Sequence, residues 1–193
     1  MQAFSARYDL ALALAARAHR DQLRKGTDLP YIAHPVHVSI ILIRHGFGED
    51  LAIAGLLHDV VEDTDTSLAL IAAEFGADVA RMVEAVSETK SADGAALPWE
   101  QRKAEKLAHL QAAKPDVAAL KAADAIHNLR SIIADLRSDG PSVWERFKRG
   151  PEPTLGYYRA ILDPVRVKLG AHPIVGELED ALAELSRAAG DER

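Results

Sequence analysis

A chain of 193 residues, 48% hydrophobic and 5% aromatic, is sized for one domain, and its Ala- and Leu-rich apolar fraction favours helix over sheet and excludes wholesale disorder. With no cysteine, a disulfide framework, a thiolate nucleophile and a cysteine zinc site are excluded, so any metal must be held by His, Asp, Glu or water, which suits Mn, Fe, Co or Zn. A net charge of −6 gives no broad drive toward nucleic acid, and a small anionic substrate would need a local basic pocket and a cation.

Helix signals recur along the chain, and no convincing period-two strand appears. Tyr8 to Leu23 carries Leu10, Leu14 and Ala18 at helical spacing. Thr27 to Tyr31 reads as a turn. Pro35 then opens a helix whose stripe of Val36, Ile40 and Ile43 stops at Gly46. Glu49 to Thr64 is expected as one helix packing through Leu51, Ala54, Leu57 and Val61. Thr66 is the expected cap of Ser67 to Phe75, and Val79, Met82, Val83 and Val86 mark the next helix. Lys90 to Pro98 is a loop rich in small and turn residues. A charged helix, Trp99 to Ala113, precedes a long apolar one, Asp116 to Arg137. Shorter pieces follow at Pro141 to Lys148, Thr154 to Leu169 and Pro173 to Ala189.

The expected fold is all-α, a compact bundle of roughly eight to ten helices. Residues 1–170 read as the chemical domain and 171–193 as an accessory helix of the same domain. No apolar run reaches transmembrane length, and Met1 to Asp9 lacks the apolar stretch of a signal peptide. A cytoplasmic protein without membrane or nucleic-acid partners is the expectation, and self-association is left open.

Three segments place metal-type ligands inside otherwise apolar helices. They are Tyr31-Ile32-Ala33-His34-Pro35, Leu57-His58-Asp59-Val60-Val61-Glu62-Asp63-Thr64, and Lys121-Ala122-Ala123-Asp124-Ala125-Ile126-His127-Asn128. Burying so many ionisable groups among Leu, Ile and Val is costly unless a cation offsets it. A divalent ion held by His34, His58, Asp59 and Asp124 does so, and its remaining positions take water, which the metal makes more acidic. On a continuous helix Glu62 and Asp63 lie one turn beyond His58 and Asp59, placed to hold or deprotonate that water.

These motifs resemble the HD-domain superfamily. More narrowly, the chain is similar to the small alarmone hydrolases, including the metazoan SpoT homologues, and to the hydrolase domain of the RelA/SpoT family. The matching pieces are RKGTDLPYIAHP (Arg24 to Pro35), LLHDVVEDT (Leu56 to Thr64), FGADVARMVEAVSETK (Phe75 to Lys90) and KAADAIHNLR (Lys121 to Arg130). The resemblance implies a mononuclear site, usually occupied by Mn2+, that removes the 3′-pyrophosphate of ppGpp or pppGpp to leave GDP or GTP. By motif it makes His34, His58, Asp59 and Asp124 the ligands and Glu62 with Asp63 the catalytic pair. Arg24, Lys25 and Asn128 become nucleotide contacts, with Tyr157, or nearly as well Tyr158, on the base side.

Ala125 and Ile126 depart from the family's basic or polar pattern, and the WERFKRG and GYYR stretch is less similar to it. Other substrates are therefore weighed: an adenine alarmone, a nucleotide phosphate or a dinucleotide phosphate. A different class, a non-catalytic nucleotide sensor or antitoxin-like module, is disfavoured by the intact Glu62-Asp63 pair. Bland readings stand beside the functional ones. Arg24 and Lys25 suit a helix C-terminus, Asn128 a structural amide bond, and Lys121 either a structural or a substrate role. Lys90, Arg102, Lys103 and Lys106 suit either phosphate or a solvated helix face. His19, His37, His45, His109 and His172 show no partner pattern, and His127 adjoins the site in sequence but lies about 100° from Asn128 around the helix, so none of the six is assigned to the metal. No synthetase-like segment follows, so a hydrolase alone is expected.

Overall fold

Ser5 starts the first helix, its hydroxyl accepting from the Tyr8 amide at 3.2 Å. The structure, a computed structural model, describes residues 5–87, 91–92, 95–147 and 150–190. In order the helices are α1 (Ala6–Ala18), α2 (Ala33–Arg44), α3 (Glu49–Leu57), α4 (Val60–Asp63), α5 (Leu68–Phe75), α6 (Ala77–Val86), α7 (Trp99–Ala112), α8 (Pro115–Asp139), α9 (Pro151–Leu169) and α10 (Pro173–Ala188). A 3-10 segment, Gly140–Arg146, joins α8 to α9. Between α6 and α7, two-residue strands β1 (Ser91–Ala92) and β2 (Ala95–Ala96) pair antiparallel inside the expected loop.

Helix α8 is the axis of the fold. It buries apolar residues from Val117 to Ile133 and packs against α2, α3, α6, α9 and α10. Helix α3 is buried from Leu51 to Leu57, so α2, α3 and α8 form the inner layer that carries the site. Helix α10 lays Ile174, Val175, Leu178, Leu182 and Leu185 into the same core. Among the described residues, no helix is long and apolar enough to cross a membrane.

Several local expectations are corrected. Helix α1 stops at Ala18, and Gln22 to Tyr31 forms a hairpin-like loop instead. There the Arg24 amide donates to the Leu29 carbonyl and the Tyr31 amide to the Gln22 carbonyl, each at 2.8 Å. Helix α2 begins at Ala33, two residues before Pro35. Ser67 rather than Thr66 caps α5, accepting from the Leu70 amide. The stripes on α1 and α2 are also rotated: Tyr8, Ala11 and Ala15 are buried while Leu10 is exposed, and Val38, Ile41 and Leu42 are buried while Ile40 and Ile43 are exposed. Both helices carry apolar residues on more than one face, so periodicity alone cannot select the inner one. Finally, the expected Glu49 to Thr64 helix breaks at His58-Asp59, where Asp59 takes φ −103° and ψ −8°.

Candidate metal centre

The site is assembled from α2, the α3–α4 break and the middle of α8. His34 lies at the start of α2 and His58 ends α3, and both are almost fully buried, 1% and 4% exposed. His34 Nε2 lies 3.2 Å from His58 Nε2, 3.5 Å from Asp59 Oδ2 and 3.3 Å from Asp124 Oδ1. His58 Nε2 lies 3.0 Å from Asp59 Oδ2 and 4.0 Å from Asp124 Oδ1. Neighbouring donors around an ion at roughly 2.1 Å stand about 3 Å apart and opposite ones about 4 Å. His34, His58 and Asp59 gather donor atoms at a spacing that fits a divalent cation, and Asp124 Oδ1 stands beside the two imidazoles. These donors are borne by residues 24 to 90 positions apart in sequence, apart from the adjacent His58-Asp59 pair.

Each donor is held from behind. The His58 Nδ1–H donates to the Gly55 carbonyl at 2.9 Å, leaving Nε2 as the free nitrogen. The Tyr31 hydroxyl donates to Asp59 Oδ2 at 2.6 Å. Lys121 Nζ donates to Asp124 Oδ2 at 2.7 Å, and Asn128 Nδ2 donates to Asp124 Oδ1 at 2.5 Å. His34 Nδ1 lies 2.8 Å from His127 Nδ1, and His127 Nε2 lies 3.0 Å from Nδ1 of the exposed His37.

The electrostatics call for positive charge. Burial disfavours charge on His58, yet Asp59 and Asp124 outweigh it and raise the imidazole to about 9. Burial would raise both carboxyls. Instead His58 and His34 hold Asp59, and Lys121 and the two imidazoles hold Asp124, well below the usual carboxylate range. Burial lowers His34, and burial with His34 and Arg24 holds His127 at about 3. Burial opposes charge on Lys121, but Asp124 and the neighbouring tyrosines keep it protonated.

Glu62 and Asp63 sit on α4, which is a single turn. Because the chain breaks before them, they belong to no long helix whose dipole they oppose, and the stacking expected on a continuous helix is not what places them. Lys106 Nζ reaches Glu62 Oε2 at 3.3 Å, and Gln22 Nε2 donates to Asp63 Oδ2 at 3.2 Å. Of the set around the loop, Lys106 thus meets Glu62 and Lys103 lies 5.0 Å over the Tyr157 ring, while Lys90 falls outside the described residues.

Arg24 and Lys25 occupy the hairpin-like loop, not a helix end. Arg24 donates to Asn128 Oδ1 at 2.8 Å, and Lys25 Nζ lies 5.8 Å over the Phe147 ring. Gly26, at φ +74°, lets this loop close on Arg146, since a Cβ there would stand 2.6 Å from Arg146 Cδ. A cavity of about 320 Å3 opens beside the donors, lined by Arg24, Lys25, Tyr31, Asn128, Phe147 and Tyr158 among others. Tyr158 takes the cavity side. Tyr157 packs toward α7, 6.3 Å from Trp99, and its hydroxyl finds no hydrogen-bond partner among the described residues. On the far side of Asp63 an open hollow of about 690 Å3 is lined by Asp21, Asp63 and Asp65, a surface that repels phosphate.

From the sequence His127 adjoins the site, yet neither it nor His37 is given a place there, although the signal was present. His127 follows Asp124 by three residues and His37 follows His34 by three, spacings that put each pair on one helix face. Of the four remaining histidines, His19 bonds Gln22, His45 meets Glu177, His172 caps α10, and His109 lies in the last turn of α7.

A family model described as the HD domain matches residues 11–150. The chain is 34% identical over 179 residues to the Mus musculus guanosine-3′,5′-bis(diphosphate) 3′-pyrophosphohydrolase MESH1, covering 91% of this chain and 90% of that one. The Homo sapiens MESH1 is 35% identical over the same shares. The solved structure of a metazoan ortholog of SpoT that hydrolyses ppGpp and plays a role in starvation responses aligns with a TM-score of 0.78. It is 31% identical and covers 98% of this chain and 99% of that one. Helical architecture, a His-and-Asp donor cluster and near full-length likeness agree, and the chain belongs to the HD-domain family, in its SpoT-like branch.

Proposed function

We propose that this chain is a metal-dependent (p)ppGpp 3′-pyrophosphohydrolase that releases pyrophosphate and leaves GDP or GTP. The observation that carries this reading is the meeting of His34, His58, Asp59 and Asp124 beside a cation-lined cavity, in a chain whose long-range relatives bear that activity in their names. The four side chains hold one divalent ion, and a two-nitrogen, two-oxygen set suits Mn2+. A bound cation supplies Lewis acidity at a phosphate oxygen and makes water a better nucleophile near neutral pH.

The protein's own side chains do the rest. Glu62, steadied by Lys106, accepts the proton of the attacking water, and Asp63, held by Gln22, fixes the water's approach. The water oxygen joins the phosphorus attached to the 3′ oxygen, and the bond between them breaks. The 3′ oxygen regains a proton, and pyrophosphate departs. Arg24 and Lys25 bring positive charge to the phosphates, while Lys121 and Asn128 face the nucleotide as they hold Asp124. Tyr158, the tyrosine on the cavity side, flanks the base end. The acidic hollow beyond Asp63 leaves the Arg24 side as the nucleotide's entry.

Residues 1–170 and 171–193 act as one domain in this reading, supported by the buried apolar face of α10. A cysteine-free, acidic chain suits the cytoplasm.

Purified protein with Mn2+ is expected to release pyrophosphate from ppGpp. Asp59→Ala is expected to abolish that release, and Glu62→Ala to reduce it about 10²- to 10⁴-fold. Unchanged ppGpp at high enzyme concentration overturns the proposal.

A further inference from the structure

A nitrogen-to-nitrogen hydrogen bond needs one donor and one acceptor, and three imidazoles in a row fix one another's hydrogens. His34 Nε2 faces His58 Nε2, Asp59 and Asp124, so to offer a lone pair there His34 must carry its hydrogen on Nδ1. That hydrogen points along the 2.8 Å contact to His127 Nδ1, which must then accept. His127 consequently carries its hydrogen on Nε2 and donates it across 3.0 Å to Nδ1 of His37. The other three donors are backed by a carbonyl, a hydroxyl, or an amide and an ammonium, whose donor or acceptor sense is already settled. Only His34 is backed by a group that could take either sense, and the lone pair required at His34 Nε2 sets it, with His37 Nδ1 accepting at the surface end.

We infer that His127 is a positioning residue that holds His34 in the ring tautomer competent to bind the metal, with His37 completing the chain at the surface. The inference rests on the metal reading above and adds to it the two histidines that no ligand assignment requires. A partner behind a metal-binding imidazole raises its basicity and fixes its orientation, and its loss commonly costs ten- to a hundredfold in metal affinity.

The test measures Mn2+ binding by titration calorimetry for the unaltered chain, His127→Phe, His127→Gln and His34→Ala. Phenylalanine keeps the ring's bulk without an acceptor, whereas glutamine restores an acceptor oxygen. The expected result is about a ten- to hundredfold loss in His127→Phe, most of it recovered in His127→Gln, with the metal-free unfolding midpoint of the two variants alike. Full affinity in His127→Phe, beside a loss in His34→Ala, overturns the positioning role and leaves the metal reading intact. Full affinity in His34→Ala overturns the metal reading itself. Should His127→Phe fail to fold, nitrogen-15 spectra of the unaltered, Zn2+-loaded protein still decide. A hydrogen on His34 Nδ1 and on His127 Nε2 supports the inference, and a hydrogen on His127 Nδ1 overturns it.

Discussion

Two imidazole nitrogens 3.2 Å apart, both almost free of solvent and both beside carboxylates, repel unless positive charge sits among them. Without a metal that charge is a proton on His58, which Asp59 and Asp124 raise to about 9 although burial opposes it. A cation must displace this proton in order to bind. His34, lowered by burial, offers no competing proton. The sign follows: below about 9 each unit of acidification costs up to about tenfold in metal affinity. Mn2+ titrations at about pH 6.5 and about pH 8.5 should therefore show markedly tighter binding at the higher pH, with proton release on binding. Equal affinity at both, without proton release, contradicts a protonated His58 in the metal-free chain. At this same scale the meeting of His34, His58, Asp59 and Asp124 could be read from the sequence, because HD and its distant partners are unusual inside apolar helices. What lay behind them was legible only in part. Tyr31, Lys121, Asn128 and His127 act through side-chain directions that spacing only narrows, and the choice of Tyr158 over Tyr157 for the cavity depends on how α9 rotates against α8.

Among the elements, the seam between α2 and α3 sets the distance between His34 and His58. Gly55 makes the seam. A Cβ there would stand 3.1 Å from the Ser39 backbone and 3.0 Å from Leu42 Cδ1, and its carbonyl also anchors His58. Gly55→Ala must push α2 away, because backbone cannot rotate aside as a side chain can. Thermal unfolding should show a loss of about 1–3 kcal/mol, and Mn2+ binding should weaken with it. Unchanged stability and affinity would show that the helices have slack to spare. The elements themselves were legible where one face is apolar, as on α6, whose Val79, Met82 and Val83 are buried as expected. They were less legible on α2, apolar on several faces, and at His58-Asp59, where an unbroken helical pattern conceals a bend. Nothing in LLHDVVEDT signals that bend, since the sequence has neither proline nor glycine there. It is imposed by the donors' convergence on residues from α2 and α8, a tertiary demand that overrides local propensity.

Across the whole molecule, one core built around α8 supports a site where buried charge is tolerated because every donor has a second partner. The last helix is tied in by more than its apolar face. Glu177 of α10 meets Arg44 and His45 at the end of α2 and Arg130 of α8, joining two of the helices that carry the site. The overall charge is −6, yet Arg24 and Lys25 gather at the cavity, where Arg146 offsets Asp135 and Asp139, and Lys121 stands behind Asp124, so a polyanion finds locally favourable potential on an acidic protein. That polarity was foreseeable from composition, because an acidic chain acting on an anion needs such a patch. Its place at Arg24 and Lys25 came only from the resemblance, since the residues alone read equally well as the end of a helix. All of this depends on four side chains sharing a single ion. The most direct test is metal content and Mn2+ affinity in the unaltered chain and in His34→Ala, His58→Ala, Asp59→Ala and Asp124→Ala. One ion per chain, with affinity collapsing in every one of the four variants while the helical circular dichroism persists, is the expected result. Full metal affinity retained in any of them contradicts the shared centre.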